Sequence, residues 1–421
     1  MKKNRLTSPF CWVPTLYFAE GIPAAVICEV SIVVFIMLGW SAARTASLVS
    51  LLGLVWVFKL LWAPAVDSTA TKKKWIVVTQ LLLGATFLLS SFFLTPAKAD
   101  ILFLLFAAGA VLSATSDIAC DGFYIIGLDK KEQAFYSGWR SVFYRCAMVA
   151  ANGGIVALAA KLGNSPQAWQ SSFMITGIVF IALTVLHTFI LPGVESGCNV
   201  HGRYFAAFIE SFKNFISRRD LPLFLTFFLC YRFAEAQLTV VSKVFLLDGN
   251  CGAGMTLERY SLAVGTVGIA AMLAGGVLGG MYISRVGLRK SLIPMAMALN
   301  IPDVLYLLWS FATVESLFYQ TLMIAVEQAG YGFGFTGYML VMIRFADGSG
   351  NYKTSHFALL TGVMILGLRL PGMLSGWLLE NIPQICGMAE STKYQLFFTW
   401  VMIATLVSFG VTLLVRRKVS D

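Results

Sequence analysis

Long apolar runs alternate with short polar breaks along the chain. A membrane-spanning helix needs about 20 predominantly apolar residues, and the runs are of this length. Dividing the chain at charged breaks and at breaks rich in Gly, Pro or Asn predicts twelve such helices, named spans 1 to 12 here. Their predicted bounds are 12–38, 44–66, 74–94, 100–124, 137–161, 171–192, 222–246, 258–283, 291–311, 316–344, 356–379 and 394–415. The pattern therefore predicts an all-α membrane protein.

The longest polar connection divides the spans into six before it and six after it. The predicted organisation is an N-terminal half 1–192, a cytoplasmic linker 193–221 and a C-terminal half 222–421. Two short segments recur in corresponding spans. Tyr17-Phe18-Ala19-Glu20 resembles Tyr231-Arg232-Phe233-Ala234-Glu235, and Gly138-Trp139-Arg140 resembles Gly367-Leu368-Arg369. These matches favour two pseudo-symmetric halves, as parallel internal repeats produce.

Composition and charge placement support a membrane protein and argue against a nucleic-acid partner. The chain is 58% hydrophobic and 12% charged, and its mean hydropathy of +0.78 is far above that of soluble globular proteins. The net charge of +10 arises from Lys and Arg in short loops. Placing the N-terminus in the cytoplasm puts most of them inside, which predicts that both termini are cytoplasmic. Those left outside are Arg44, Lys98, Lys161, Arg259 and Lys393.

Cysteine and histidine give no sign of a metal site. The eight Cys form no Cys-x-x-Cys pair, and the three His are isolated from one another. We therefore expect no metal and no cofactor. Cys251 and Cys386 fall in predicted loops on the same, periplasmic side, so the sequence leaves open whether they form a disulfide.

Ionisable residues inside the spans are the first candidates for function. A charge at the bilayer centre costs about 2.5–3.5 kcal/mol even on the mildest scale, so most of these side chains must be paired or hydrated. Thirteen fall within spans: Glu20, Glu29, Lys59, Asp117, Asp121, Arg140, Arg145, Arg232, Glu235, Lys243, Asp303, Glu327 and Arg369.

One predicted group of these residues lies toward the cytoplasmic ends of spans 2, 4 and 5. Asp117 and Asp121 are four residues apart and share one face of a helix. With the cations nearby they are expected to form a network for proton coupling or gating. Two roles stay open, a salt-bridge latch and direct handling of a proton or substrate. The group comprises Lys59, Asp117, Asp121, Arg140 and Arg145.

A second predicted group lies nearer the bilayer midplane, where transporters bind their substrates. Pro23 follows Glu20 closely and is expected to break span 1. Aromatic rings in the spans can stack on sugar faces. Packing is the alternative role for each of these residues. The candidates for substrate binding are Glu20, Glu235, Glu327, Arg369, Tyr17, Tyr231, Trp139 and Tyr144, and Asp303 lies in the same layer.

Two motifs carry a family resemblance. The loop 280–290 resembles the Gly-x-x-x-Asp-Arg-x-Gly-Arg-Lys loop of the major facilitator superfamily, with Ser284 in the acidic position. The segment 58–67 reads Phe-Lys-Leu-Leu-Trp-Ala-Pro-Ala-Val-Asp, and 113–121 reads Ser-Ala-Thr-Ser-Asp-Ile-Ala-Cys-Asp. Together with Tyr144-Arg145 before Gly153-Gly154, these segments resemble the AmpG muropeptide permease family, which is related to acetyl-coenzyme A transporters.

The resemblance implies a major facilitator fold and proton-driven import of anhydro-muropeptides for peptidoglycan recycling. It implies a small sugar-peptide substrate, protons as the coupling ion and a bacterial inner-membrane location, and we expect a monomer. It places Lys59, Asp117, Asp121 and Arg145 at family motif positions, whereas Ser68 replaces the basic residue that usually follows the span 2 aspartate. A symporter for another sugar, peptide or acyl-coenzyme A solute is the alternative. A membrane enzyme is disfavoured because the spans contain no clustered nucleophile or His/Asp pair.

Overall fold

The chain is built from long helices. The computed structural model describes residues 8–63, 66, 69–163, 165–193, 201–348 and 353–419, in which there is no β-strand. The twelve spans are Pro9–Met37, Ala42–Phe58, Lys72–Ser91, Ala99–Gly127, 130–161, Pro166–Ile190, Leu221–Leu247, Leu257–Val286, Leu288–Phe311, Leu317–Asp347, Lys353–Cys386 and Lys393–Arg416. Within these described ranges, ten of the helices are long and apolar enough to cross a membrane, and spans 2 and 10 are not among the ten. Span 2 is shorter, at 17 residues, and span 10 has 31 residues. The predicted all-α membrane fold is confirmed.

Local capping explains where several spans begin. The Thr71 hydroxyl accepts a hydrogen bond from the Lys74 amide before span 3, and Ser165 accepts one from Ala168 before span 6. Asp129 and Glu132 form a reciprocal capping box, in which each side chain accepts from the other residue's amide. This box begins span 5 at Lys130, before the predicted start at residue 137.

Span 2 ends earlier than its hydropathy predicts. The α-helix stops at Phe58 and continues as a 3₁₀ turn, Lys59–Leu61, whereas the predicted span reaches residue 66. The sequence contains Pro64, whose ring nitrogen cannot donate to the carbonyl four residues earlier. The turn places Lys59 beside span 4. The motif positions Asp67 and Ser68 lie outside the described residues.

The expected break at Pro23 is wrong. Span 1 continues as an α-helix to Ala25 and then passes through a π-helical segment, Val26–Val30. The helix therefore widens locally after Pro23 and is not interrupted. Span 5 contains a similar segment at Ala150–Ile155, and span 8 contains one at Ser261–Gly268.

True interruptions occur in spans 7 and 9. Span 7 divides between Cys230 and Phe233, and span 9 passes through a 3₁₀ turn at Ile301–Asp303. These two interruptions position acidic side chains in the second half of the chain.

Backbone contacts group the chain into two compact units. The first contains the residues up to Gly39 and Phe58–Phe205, and the second contains Trp40–Val57 and the residues from Ala206 onward. Span 2 is therefore grouped with spans 7 to 12. The division into halves at residues 192 and 222 stays a prediction.

Within the second unit, span 2 packs closely on span 11. A Cβ atom on Gly376 would come within 2.6 Å of the Ala42 carbonyl oxygen, and one on Gly372 would come within 3.1 Å of Ser50 Oγ. These two glycines form a Gly-x-x-x-Gly pair, which allows helix backbones to approach in a membrane. Glu380 Oε1 accepts a hydrogen bond of 2.9 Å from the Ala43 amide, at the start of span 2.

The predicted polar linker contains a helix, His201–Ile216. Its side chains alternate between buried Ser211 and Phe215 and exposed Phe212 and Ile216, so its described part is amphipathic. Beyond this helix, Arg218 donates two hydrogen bonds to the Asp220 carboxylate, at 3.0 and 2.7 Å. These bonds hold the pKa of Asp220 below its ordinary value.

The disulfide left open by the sequence is not formed. Cys251 and Cys386 are both free thiols. Cys251 lies in a turn held by the Asp248 carboxylate, and Cys386 is the exposed last residue of span 11. Each position is set by its own local structure.

Candidate functional site

Spans 1, 4 and 5 meet closely in the first unit. A Cβ atom on Gly21 would lie 2.7 Å from Ala147 Cβ and 2.8 Å from the Tyr144 carbonyl oxygen. Only glycine permits this approach, since real Cβ atoms are not found so close to other heavy atoms. The approach places Glu20 of span 1 beside the acidic face of span 4.

Two ion pairs connect the polar residues of this region. Lys59 Nζ lies 2.7 Å from Asp117 Oδ2, and Arg140 Nη2 lies 2.5 Å from Asp121 Oδ1. The one-turn spacing of the aspartates lets each take its own cation, one from span 2 and one from span 5. We name Glu20, Lys59, Asp117, Asp121 and Arg140 the charged cluster.

Aromatic rings border the Arg140–Asp121 pair. The Tyr17 hydroxyl donates a hydrogen bond of 3.5 Å to Asp121 Oδ1. The Arg140 guanidinium carbon lies 4.6 Å from the centre of the Tyr17 ring and 5.7 Å from that of Tyr124. Cation–π contact of this kind contributes about 0.5–2 kcal/mol. Tyr17 is fully buried beside this ion pair, and its role in substrate binding stays a prediction.

Glu20 belongs with this charged cluster, although the sequence grouped it with the midplane acids. Its carboxyl group and that of Asp117 lie close enough to share a hydrogen bond. Such a bond requires a proton on one of the two carboxyl groups. Glu20 Oε2 is buried and has no hydrogen-bond partner in the part of the chain that the structure describes.

The other predicted residues of span 5 lie around the charged cluster. Trp139 is half-buried and stacks on Phe143, with ring centres 6.0 Å apart. Tyr144 provides the carbonyl that faces Gly21. Arg145 takes no part in the two ion pairs, and Arg140 occupies the position beside Asp121.

A second polar cluster lies in the second unit and is purely acidic. Glu235 of span 7, Asp303 of span 9 and Glu327 of span 10 each offer a carboxylate oxygen within 4.8 Å of the others. Their exposed fractions are 2%, 1% and 2%. We name these three residues the acid triad.

The interruption of span 7 positions the first member of the acid triad. Ser408 Oγ donates a hydrogen bond of 2.5 Å to the Tyr231 carbonyl, which the break leaves without a helical partner. The Tyr231 hydroxyl donates to the Gly334 carbonyl at 3.1 Å, and Arg232 Nη2 donates to the Tyr331 hydroxyl at 2.6 Å. Tyr231 is fully buried, so it fixes the break. Glu235 then lies in the first turn of the resumed helix, where the helix dipole favours negative charge.

Arg369 is placed against span 2. A Cβ atom on Gly53 would overlap the Arg369 guanidinium, so the two residues are in direct contact. Among the described residues, the charged groups that act on the triad carboxyl groups are one another and Arg232. Asp303 and Arg232 were among the ionisable residues predicted within the spans, but not among those assigned to substrate binding or proton coupling. The segment Asn300-Ile301-Pro302-Asp303 carries a helix-break signal that points to Asp303.

Comparison with known proteins identifies a family and several relatives. Residues 17–376 match the model of the Major Facilitator Superfamily. The chain is 22% identical over 370 residues to the anhydromuropeptide permease of Escherichia coli (strain K12), covering 87% of this chain and 73% of that protein. It is 23% identical over 346 residues to a putative AmpG transporter of Rickettsia prowazekii (strain Madrid E), covering 79% and 80% of the two chains.

Solved structures share the fold at low identity. A bacterial homologue of the human lysosomal transporter Spinster, in an inward-facing conformation, superposes with a TM-score of 0.72 at 16% identity, covering 99% of this chain and 98% of that one. The nucleoside transporter NupG superposes with a TM-score of 0.67 at 14% identity, covering 97% and 99%.

Proposed function

Because the chain belongs to the Major Facilitator Superfamily, we propose that it is a proton-coupled importer of anhydro-muropeptides. It is a multi-pass membrane protein, and its matching relatives are transporters. The proposal places it in a bacterial inner membrane as a monomer, with both termini in the cytoplasm.

The substrate assignment is supported by relatives and by motif residues. Relatives at 22–26% identity bear the names anhydromuropeptide permease or AmpG transporter. Lys59, Asp117 and Asp121, which the family motif contains, meet in the charged cluster. Trp139 and Tyr144, on the same helix as Arg140, are proposed to contact the sugar rings.

The proposal of proton coupling is supported mainly by the proximity of Glu20 to Asp117, which lies beside Lys59. We propose that the two neighbouring carboxyl groups share one proton, because two like charges in a buried site repel each other. Lys59 and a proton therefore compete for Asp117, because protonation removes the charge with which Lys59 is paired. A proton taken from outside would release Lys59, and the return of Lys59 would expel the proton inward. This exchange biases the two states of a transporter.

Uptake by proteoliposomes tests the proposal. We expect vesicles containing the purified chain to accumulate labelled N-acetylglucosaminyl-anhydro-N-acetylmuramyl peptide when the exterior is acidic, and to equilibrate without accumulation once a protonophore is added. Glu20→Gln should abolish accumulation but retain exchange of labelled for unlabelled substrate. Asp220→Asn, which changes an acid of the linker, is the matched control and should accumulate normally.

Two results would contradict the proposal. Accumulation that persists without a proton gradient would exclude proton coupling. Competition by a free sugar, a peptide or an acyl-coenzyme A, with no transport of the muropeptide, would assign another solute to the chain.

A further inference from the structure

We propose that the acid triad of Glu235, Asp303 and Glu327 is a binding site for a divalent cation of the size of calcium. The three side chains come from spans 7, 9 and 10, and each is at least 98% buried. The site lies within the second unit and does not depend on the muropeptide assignment.

The unpartnered oxygens of the triad point to a ligand. Asp303 Oδ1, Asp303 Oδ2 and Glu235 Oε2 are buried and have no hydrogen-bond partner among the described residues. Buried polar atoms are almost always hydrogen-bonded, so three orphan acceptors in one place require an explanation. The other contacts come from neutral groups. Thr239 donates to Glu235 Oε1 at 2.9 Å, and Gln328 donates to Glu327 Oε2 at 3.0 Å.

The charge of the cluster favours a divalent ion. When all three carboxyl groups are ionised they carry a charge of −3, and among the described residues Arg232 is the cation that acts on Glu235. The remaining charge of −2 is matched by one divalent cation, whereas a monovalent ion leaves an uncompensated buried charge. Such a charge costs several kcal/mol in a low-dielectric interior.

The donor atoms and their spacing favour calcium. Carboxylate oxygens suit hard cations. Oxygens at about 2.3–2.6 Å from a calcium ion stand at most about 4.6–5.2 Å apart, so atoms that all lie within 4.8 Å of one another can share one such ion. Magnesium dehydrates reluctantly and is usually bound through only one or two carboxylates, so three buried carboxylates suit calcium better.

The backbone holds the three acids in this arrangement. The 3₁₀ turn at Ile301–Asp303 interrupts span 9 at Asp303. A Cβ atom on Gly330 would lie 2.9 Å from Pro302 Cγ and would overlap the Ala298 carbonyl oxygen. Glycine therefore lets span 10 approach the interruption, and Glu327 lies one turn before Gly330. Helix packing therefore holds the three acidic side chains together, without a contribution from flexible loops.

Calcium binding to the full-length protein tests this proposal. Protein purified in detergent and stripped with a chelator is titrated with CaCl₂ in a calorimeter, with MgCl₂ and NaCl in parallel. We expect one saturable calcium site and a rise in Tm with calcium. Asp303→Asn should weaken calcium affinity at least tenfold, whereas Glu258→Gln, an exposed acid of the same unit, should bind as the wild type does.

Several results would overturn it. Folded wild-type protein that binds no calcium would mean that protons neutralise the triad. Binding of sodium alone, or of magnesium as tightly as calcium, would contradict the charge or size assignment. Unchanged calcium binding in folded Asp303→Asn would place the ion elsewhere. If Asp303→Asn does not fold, Glu327→Gln provides the same comparison.

Discussion

The two ion pairs of the charged cluster are buried to different degrees. The side chains of Lys59 and Asp117 are 24% and 16% exposed, and those of Arg140 and Asp121 are both 37% exposed. Removing one partner from a buried pair leaves an uncompensated charge, whereas exposed pairs contribute little. Arg140 also contacts Tyr17, and Glu20 adds a second carboxyl group beside Asp117. Lys59 is therefore the cation that depends most on its partner.

We predict that Asp117→Asn destabilises the protein more than Asp121→Asn. The first change should cost about 1–3 kcal/mol because it strands Lys59, and the second should cost about 0–1 kcal/mol. Thermal unfolding in detergent measures both as a decrease in Tm. Adding Lys59→Met to Asp117→Asn should recover most of the loss. Equal losses from the two single variants would show that burial does not distinguish the pairs.

A charge exchange distinguishes the latch from the coupling site. If the Arg140–Asp121 pair only holds helices together, Asp121→Arg combined with Arg140→Asp should restore the accumulation that Asp121→Arg alone abolishes. If Asp121 takes part in proton transfer, the exchanged pair should fold and exchange substrate but fail to accumulate it. We expect the second result, measured by gradient-driven uptake. The sequence offered Arg145 as a partner as well, but the structure pairs Asp121 with Arg140.

Asp248 predicts a pH-dependent stability outside the spans. Burial opposes its ionisation, but the Asn250 amide at 2.8 Å and the Tyr394 hydroxyl at 2.8 Å hold the pKa of its carboxyl below the ordinary value. Its stabilising effect is therefore complete above the unfolded pKa of about 4 and is lost as pH falls through the folded pKa. We expect the Tm difference between wild type and Asp248→Asn to be largest near pH 7 and to shrink below about pH 4. A difference independent of pH would contradict this, and Glu315→Gln is the exposed control.

Between packed helices, close backbone contact determines which glycines tolerate a larger side chain. Gly279 and Gly280 are neighbours in span 8, but only the first faces span 10. A Cβ atom on Gly279 would lie 2.7 Å from the Phe333 carbonyl oxygen, whereas one on Gly280 would meet nothing within 4 Å. The contact is with backbone, which cannot rotate away as a side chain can.

We therefore predict opposite effects for two adjacent substitutions. Gly279→Ala should push spans 8 and 10 apart and cost about 1–3 kcal/mol, as overpacking does. Gly280→Ala should be neutral or slightly stabilising, because alanine favours a helix over glycine by about 1 kcal/mol. Tm values of the two purified variants make the comparison. Similar losses in both would indicate that the effect is not packing against Phe333.

The spans were predictable from the sequence, but their irregularities were only partly so. Hydropathy located each helix because burial in lipid depends on local composition. Hydropathy misplaced the end of span 2, and the presence of Pro23 predicted a break where the helix instead passes into a wider π-helical segment. No proline or glycine lies next to Tyr231, so no local sequence signal predicts the interruption there. It depends on Ser408, which is 177 residues away along the chain.

At the scale of the whole molecule, the sequence placed the ionisable residues of the spans in two groups but did not show which of them come into contact. The four-residue spacing of Asp117 and Asp121 requires both to share a helix face, so their ion pairs follow from one span and its neighbours. The acid triad draws one residue from each of three spans, and its convergence depends on Gly330 and the turn at Asp303. A search of the sequence for Cys and His ligands could not detect a site made only of carboxylates.

The orientation of the chain in the membrane is predicted from the positions of Lys and Arg and can be tested directly. Twelve membrane crossings would put the two termini on one side, and the excess of Lys and Arg in the loops assigned to that side predicts that it is the cytoplasm. A reporter that is active only in the cytoplasm should be active when fused after residue 421 and inactive when inserted between Asp248 and Gly254. A periplasmic reporter should show the reverse. Because spans 8 to 12 are five in number, activity of the same reporter at both positions would require one of them not to cross the membrane.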